Sequence, residues 1–144
     1  NPSHEHFTSQ LVRQKLFAAI NSLPFVQSQN RYVLFLPETE FHEIGLLYSY
    51  YILRKENCEC IYLGANVPIA DVEECCINTN AENIICAFTM YRSKKRIDAY
   101  LDNLIKVFKD RKILVHGLPD TYKTIYQNSN IHFISTIVDL KNHC

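Results

Sequence analysis

At 144 residues, 47% of them hydrophobic, the chain is long enough to bury one good core and too short for a second full domain. Lysine plus arginine equals aspartate plus glutamate, 15 against 15, so no net field gathers nucleic acid or an acidic membrane surface, and DNA binding by this segment is disfavoured. No apolar run approaches the roughly 20 residues that span a bilayer and no signal-peptide pattern opens the chain, so the expected location is cytoplasmic.

The chain begins at Asn1 rather than methionine and its first helix starts almost at once, which reads as a piece of a longer protein. Residues 4 to 23 carry Phe7, Leu11, Val12, Leu16, Phe17, Ile20 and Leu23 at a helical period, with Arg13, Gln14 and Lys15 on the other side. This amphipathic helix is expected to pack on preceding helices, on the domain itself or on another copy. Pro24 to Arg31, rich in serine, asparagine and glutamine, reads as a linker.

Five apolar runs then recur at intervals of roughly 18 to 29 residues, the length of a strand, a helix and two loops. They are Tyr32–Leu36, Cys60–Leu63, Ile84–Phe88, Ile113–Val115 and Ile131–Ile134, and apart from His132 they do not alternate with polar residues, as suits strands covered on both faces. Helical patterns separate them: Ile44 to Leu53, Ile69 to Cys76, Ile97 to Phe108 and a shorter Pro119 to Tyr126, with Thr136 to Lys141 at the end. The pattern predicts an α/β, flavodoxin-like (Rossmann-like) doubly wound sheet of five parallel strands in the order 2-1-3-4-5, preceded by one helix. In such sheets ligands bind beyond the carboxyl ends of the strands where the order reverses. Here that edge is built from Pro37–Glu43, Thr89–Ser93 and His116–Pro119.

The residue types at that edge exclude several chemistries. Three glycines, Gly45, Gly64 and Gly117, cannot write a dinucleotide or P-loop fingerprint. No acid stands after the third strand, Ala87-Phe88-Thr89-Met90, so a phosphoacceptor receiver is excluded, and no nucleophile elbow is visible. The six cysteines form no Cys-x-x-Cys pair and read as reduced, structural thiols rather than a zinc site. What remains is Glu40 and His42, two residues apart on the turn from the first strand into a helix. A loop histidine can ligate a metal through one nitrogen while a carboxylate takes the other N–H. Spacing alone favours the plainer reading, in which Glu40 caps the helix and His42 is a half-buried surface histidine.

The spacing Glu40-x-His42-x-x-Gly45 resembles the Asp/Glu-x-His-x-x-Gly signature of cobalamin-binding domains, with Thr89 at the position of the Ser/Thr after the third strand and His116-Gly117 in place of a Gly-Gly pair after the fourth. The chain is most similar to the MerR-type cobalamin-binding regulators, some of them light sensors. Glu5-His6-Phe7-x-Ser9-x-x-Val12-Arg13-x-Lys15-Leu16 looks like the last helix of the bundle preceding their cobalamin domain. Phe41-His42-Glu43-Ile44-Gly45-Leu46-Leu47 and Tyr62-Leu63-Gly64-Ala65-Asn66-Val67-Pro68 continue the match, which runs from residue 5 to about 120. The resemblance implies two parts, the last bundle helix over residues 1–24 and a cobalamin-binding domain over 31–144. It implies that cobalamin binds with its dimethylbenzimidazole tail pulled off the cobalt and inserted beside the sheet. His42 then takes the lower axial position on cobalt, Glu40 orients it, Thr89 and Gly117 line the slot for the tail, and Gly45 gives clearance under the corrin. Glu5 and His6 look like the acid–histidine pair that faces the upper ligand in the light sensors, or form the polar start of a helix.

Two departures from the pattern matter: the sequence has no tryptophan, a residue the light sensors carry, and His116 stands where the first glycine of the pair is usual, so an imidazole narrows the tail slot or supplies a hydrogen bond to it. Taken together, the resemblance implies a ligand sensor rather than an enzyme, a homo-oligomer whose association follows cobalamin occupancy, with DNA bound only by a domain outside this sequence. Its rivals are a corrinoid carrier of a methyltransferase or mutase, and a family member that has lost the cofactor and serves in oligomerisation.

Overall fold

A computed structural model describes residues 2–90 and 92–144, so Asn1 of the first helical segment and Tyr91 of the Thr89–Ser93 loop lie outside the described residues. Helix α1 (Pro2–Ser22) leads into strand β1 (Arg31–Pro37), helix α2 (Ile44–Lys55) and strand β2 (Glu59–Val67). Helix α3 (Ile69–Thr79), β3 (Asn83–Ala87), α4 (Lys94–Val107), β4 (Lys112–His116), α5 (Thr121–Ile125), β5 (Ile131–Ile134) and α6 (Ile137–Lys141) follow. The strands form one parallel sheet in the order β2-β1-β3-β4-β5, the doubly wound arrangement expected from the spacing of the apolar runs.

Because successive side chains leave a strand on opposite faces, each strand feeds two cores. Val33, Phe35, Ile84, Cys86, Val115 and Phe133 pack under α3, α4 and α5, while Tyr32, Leu34, Leu36, Ile85, Ala87 and Leu114 pack under α2 and α6. Strand β3 is buried along its whole length, which explains why its sequence is a run and not an alternation. Local signals bound the helices: the Ser93 hydroxyl caps the start of α4, Thr136 and Asp139 form a reciprocal capping box at α6, and Asn80 closes α3 in the left-handed region. The six cysteines are free. Burial pushes the thiol of Cys76 up to about 11 and that of Cys58 up to about 12, so both stay protonated and pack as small apolar groups.

Helix α1 divides along its length. Ile20 is buried, and Phe17 meets Tyr62 of β2 edge-on at 5.9 Å. Phe7, Leu11 and Val12, on the same apolar stripe, are exposed. The buried contacts of the helix lie in its second half, and the first half, with Phe7, Leu11 and Val12 exposed, runs beside the carboxyl edge of the sheet.

At that edge the chain crosses itself closely. The Phe88 N–H donates to the His116 carbonyl at 2.9 Å, and the next residue, Gly117, has φ +90°. A Cβ there would lie 1.9 Å from the Phe88 carbonyl oxygen. The glycine is therefore required by backbone packing, whatever the edge binds. Gly117→Ala is expected to lower the unfolding free energy by about 3 kcal/mol or more, read from urea denaturation. A loss below about 1 kcal/mol would show that the loop relaxes without strain.

Candidate functional site

The site begins with a tight turn. After Pro37 the chain reverses through Glu38 and Thr39, with Thr39 at φ 70°, an unusual conformation for a β-branched residue. The Glu40 N–H closes the turn on the Pro37 carbonyl at 2.9 Å. Asn66, at the end of β2, clamps it from the other side: its amide oxygen accepts from the Thr39 N–H at 2.9 Å, and its own N–H donates to the Glu40 carbonyl at 3.1 Å. The turn drives Glu40 inward, where its side chain is 0% exposed.

A buried carboxylate costs several kcal/mol unless it is compensated, and here four groups of the β3–α4 loop converge on it. One oxygen accepts from the Thr89 hydroxyl at 2.6 Å and the Thr89 N–H at 3.2 Å. The other accepts from the Met90 N–H at 3.4 Å and Arg92 Nε at 3.3 Å. Arg92 also donates to the Glu38 carbonyl at 2.9 Å and to the Thr39 hydroxyl at 2.7 Å, so one guanidinium ties the whole turn to α4. Glu40 does not cap α2. The residue before that helix is Glu43, without a side-chain cap bond.

His42 follows, exposed, with Nδ1 3.4 Å from the Thr89 hydroxyl oxygen. That hydroxyl has a single proton and gives it to Glu40, so toward the imidazole it can only accept. The order of bonds therefore assigns the proton of neutral His42 to Nδ1 and leaves the lone pair on Nε2. Glu40 reaches His42 through Thr89, and no direct contact joins the two. Among the described residues Nε2 has no protein partner, and no group of three or more His, Cys, Asp or Glu side chains converges anywhere. One open imidazole nitrogen is a poor site for a bare ion, which wants three or four protein donors. It suits a metal already held in a macrocycle that lacks one axial ligand.

The neighbouring Glu43 turns the other way. It accepts from Arg13 of α1 at 3.1 Å and from the Tyr62 hydroxyl at 2.9 Å. Burial first, and then this bond to the carboxylate, push the Tyr62 phenol above its usual range. Arg13 also lies over the Phe17 ring at 4.9 Å. The clasp fixes α1 against the His42 loop, and between them lies an open cavity of about 750 Å³, within the usual size of small-molecule sites. Its α1 wall carries Glu5, His6, Ser9, Gln10 and Arg13; its floor is Phe41 to Gly45 with Thr89.

Glu5, His6, His42, Gly45 and Thr89 thus line one cavity. Gly117 lines a second, of about 360 Å³, with Thr89, Arg92, Lys94 and Tyr122 on the α4 and α5 face of the sheet. His116 lines a third, of about 250 Å³, between α2 and α6, which Gly45 also borders. Leu63 packs against the core under α3 and lines none of the three. Arg92 had no distinguishing signal in the sequence, and although Arg13, Glu43, Tyr62 and Asn66 lie in the segments that carry the resemblance, nothing there marked the contacts their side chains make.

No family model matches the chain. It is 25% identical over 116 residues to the HTH-type transcriptional repressor CarA of Myxococcus xanthus and 27% identical over 117 residues to CarH of the same organism. Both alignments cover 81% of this chain but only 40% and 37% of the repressors, so the chain spans less than half of their length. Its fold matches that of a cobalamin-binding protein from Desulfitobacterium hafniense, with TM-score 0.61 and 18% identity over 79% of this chain and 57% of that one. A chain of the methanol:cobalamin methyltransferase complex MtaBC of Methanosarcina barkeri matches with TM-score 0.67 and 15% identity over 85% and 47% of the two chains. The monomethylamine corrinoid protein of that organism matches with TM-score 0.66 and 14% identity over 92% and 62%. The fold is the flavodoxin-like α/β domain found in these corrinoid-binding proteins. In sequence, the chain is homologous over the aligned region to MerR-type repressors of the CarA and CarH kind.

The Glu40–Arg92 pair predicts a measurable coupling. Arg92→Ala should lower the unfolding free energy by about 2–3 kcal/mol, the cost of an uncompensated buried carboxylate discounted for partial exposure of the arginine. In a Glu40→Gln background the same change should cost less than about 1 kcal/mol. Equal losses in both backgrounds, measured by urea titration, would show that Arg92 acts independently of Glu40.

Proposed function

We propose that the chain binds a cobalamin over the carboxyl edge of the sheet with His42 as the lower axial ligand of the cobalt, and that it works as the sensory part of a transcriptional regulator. The observation that carries this reading is the order Glu40, Thr89, His42, which leaves Nε2 as an open, unprotonated ligand atom on the floor of the large cavity. The homology to CarA and CarH supports the regulatory role, and the solved corrinoid proteins support the cofactor.

In this reading each side chain has a distinct task. His42 supplies one nitrogen to cobalt. Thr89 accepts from Nδ1 and passes its own proton toward Glu40, which fixes the tautomer and raises the basicity of the ligand atom. Arg92 keeps Glu40 compensated while no water reaches it. Gly45, without a side chain, lets a flat macrocycle approach the start of α2, and Phe41 gives it an apolar surface. Glu5 and His6 face the same space from α1, on the side of the upper ligand. Cobalt in its corrin supplies the exchangeable upper bond on which light, redox state or cofactor level can act.

Residues 1–24 then belong to a helical unit completed by segments outside this sequence, and residues 31–144 form the cobalamin domain. Because α1 is both a wall of the cavity and clasped to the His42 loop through Arg13 and Glu43, occupancy is felt by α1 and by whatever packs on exposed Phe7, Leu11 and Val12. We place the homo-oligomeric switch there, in a cytoplasmic protein that reaches DNA only through a separate domain. Among the described residues no helix is long and apolar enough to cross a membrane. The fold similarity to the methanol and monomethylamine corrinoid proteins favours a second reading, a corrinoid carrier that would use the same ligation. The flanking segments of the full gene separate the two: a winged helix-turn-helix marks the regulator and a substrate barrel the enzyme.

Titration with hydroxocobalamin is expected to give the absorption spectrum of a histidine-ligated, base-off corrinoid, and His42→Ala to abolish that spectrum while the fold, by circular dichroism, is unchanged. Light scattering after size exclusion should show a change of mass when the cofactor is added. No spectral change with the parent protein would refute the cobalamin reading, and a mass unaffected by the cofactor would refute the switch alone.

A further inference from the structure

The cavity over His42 and the small cavity between α2 and α6 are neighbours, because Gly45 borders both. Their junction faces His116, at the end of β4. A Cβ built on Gly45 would stand 3.9 Å from His116 Cε1, an ordinary van der Waals contact, so the gap between that backbone and the imidazole is about one methyl group wide. His116 is half-buried, and among the described residues its ring nitrogens make no hydrogen bond that would hold the ring elsewhere.

Cobalamin is a corrin with a nucleotide tail that ends in dimethylbenzimidazole. If His42 occupies the lower face of the cobalt, that base is displaced, and among the described residues the small cavity is a recess that opens beside Gly45 on the α2 face. Its walls suit a flat apolar base: Tyr48, Ile52, Ile137 and Leu140 line it. Its size does not suit the whole tail. A cavity of about 150 Å³ holds a benzene ring, so the 250 Å³ here holds at most a bicyclic base without its ribose and phosphate. The path to it is narrowed by the imidazole.

Resting on the cobalamin reading, we infer that His116 sets which corrinoids this chain takes, by closing the passage from the His42 cavity to the α2–α6 slot. The corrin ring and the His42–cobalt bond carry the affinity, and the lower nucleotide contributes little. The ligand class is therefore corrinoids with small or absent lower bases as well as cobalamin itself. Removing the imidazole opens the passage, lets the base reach its apolar walls, and turns the tail into a source of affinity. A cavity-lining apolar base that is excluded from its slot gains nothing from burial, so the discrimination appears only in the opened protein.

The test compares two ligands in three proteins: hydroxocobalamin and diaquocobinamide, which has no lower nucleotide, titrated into the 144-residue chain, His116→Gly and His116→Ala. The parent is expected to bind diaquocobinamide more tightly than hydroxocobalamin, which must first give up its cobalt–benzimidazole bond, and both variants to bind hydroxocobalamin about tenfold or more tighter than the parent with cobinamide affinity unchanged. A parent that prefers hydroxocobalamin by about tenfold, with the same ratio in the variants, overturns the role of His116 and leaves the corrinoid reading standing. Failure of either corrinoid to bind any of the three proteins overturns both. The parent's ratio involves no substitution, so the inference remains exposed even if a variant does not fold.

Discussion

The carboxyl edge of this protein depends on one buried carboxylate. Glu40 is out of reach of water, yet it receives two backbone N–H groups, one hydroxyl and one guanidinium, all from the segment that follows β3. Because each of those groups must be present for the burial to be tolerable, the Glu40 turn and the β3–α4 loop are not two independent loops. They form a single polar plug at the point where the strand order reverses. His42 is carried on that plug, and its position relative to Thr89 is a by-product of the way Glu40 is satisfied.

The same constraint explains how a single histidine would suffice for the proposed ligation. The plug spends its hydrogen-bond donors on Glu40 and leaves one acceptor, the Thr89 oxygen, for the imidazole. A ligand atom oriented in this way is complementary to a metal whose other positions are already filled. On the opposite wall, Arg13 and Glu43 hold α1 in place, so the space above His42 is bounded by α1 on one side and by the segment Phe41 to Gly45 on the other. Cofactor, helix and sheet then meet in one loop. In the proposed sensor, a change in what occupies the cavity acts directly on a helix whose outer half exposes Phe7, Leu11 and Val12.

How much of this could be read from the sequence follows from which forces leave a pattern. Burial on both faces leaves runs such as Ile84-Ile85-Cys86-Ala87, and helices between runs leave a period, so the five strands, their order and the carboxyl-edge location of the Glu40 turn were all legible. The spacing of the runs also set the Pro37–Glu43 and Thr89–Ser93 loops at one edge, and the resemblance to cobalamin-binding domains joined Glu40 and His42 to Thr89 there. Neither could supply the way they connect. Glu40 read as a helix cap or as a direct partner of His42, and the structure gives it a third part, an anchor that acts through Thr89. Arg92 and Asn66 left no pattern because the contacts that make them important are long-range, between loops 27 and 54 residues apart in the chain. Gly117 and His116 adjoin in sequence but face different cavities, since a positive-φ glycine after β4 sends the chain across Phe88. Thr89 and Gly117, which the resemblance set along the slot for the tail, share a cavity on the α4 face, whereas the recess beside Gly45 belongs to His116.

The claim on which the functional account turns is a bond between cobalt and His42 in place of the cofactor's own base. Both ligands are nitrogen donors, and they are distinguished by isotope. Protein grown with ¹⁵N-histidine and ordinary nitrogen elsewhere, loaded with cob(II)alamin, is read by electron paramagnetic resonance. The account predicts that the superhyperfine triplet from the axial nitrogen becomes a doublet, and returns to a triplet or disappears in His42→Ala. A triplet that persists in the labelled parent protein would mean that the dimethylbenzimidazole stays on cobalt, and would contradict it.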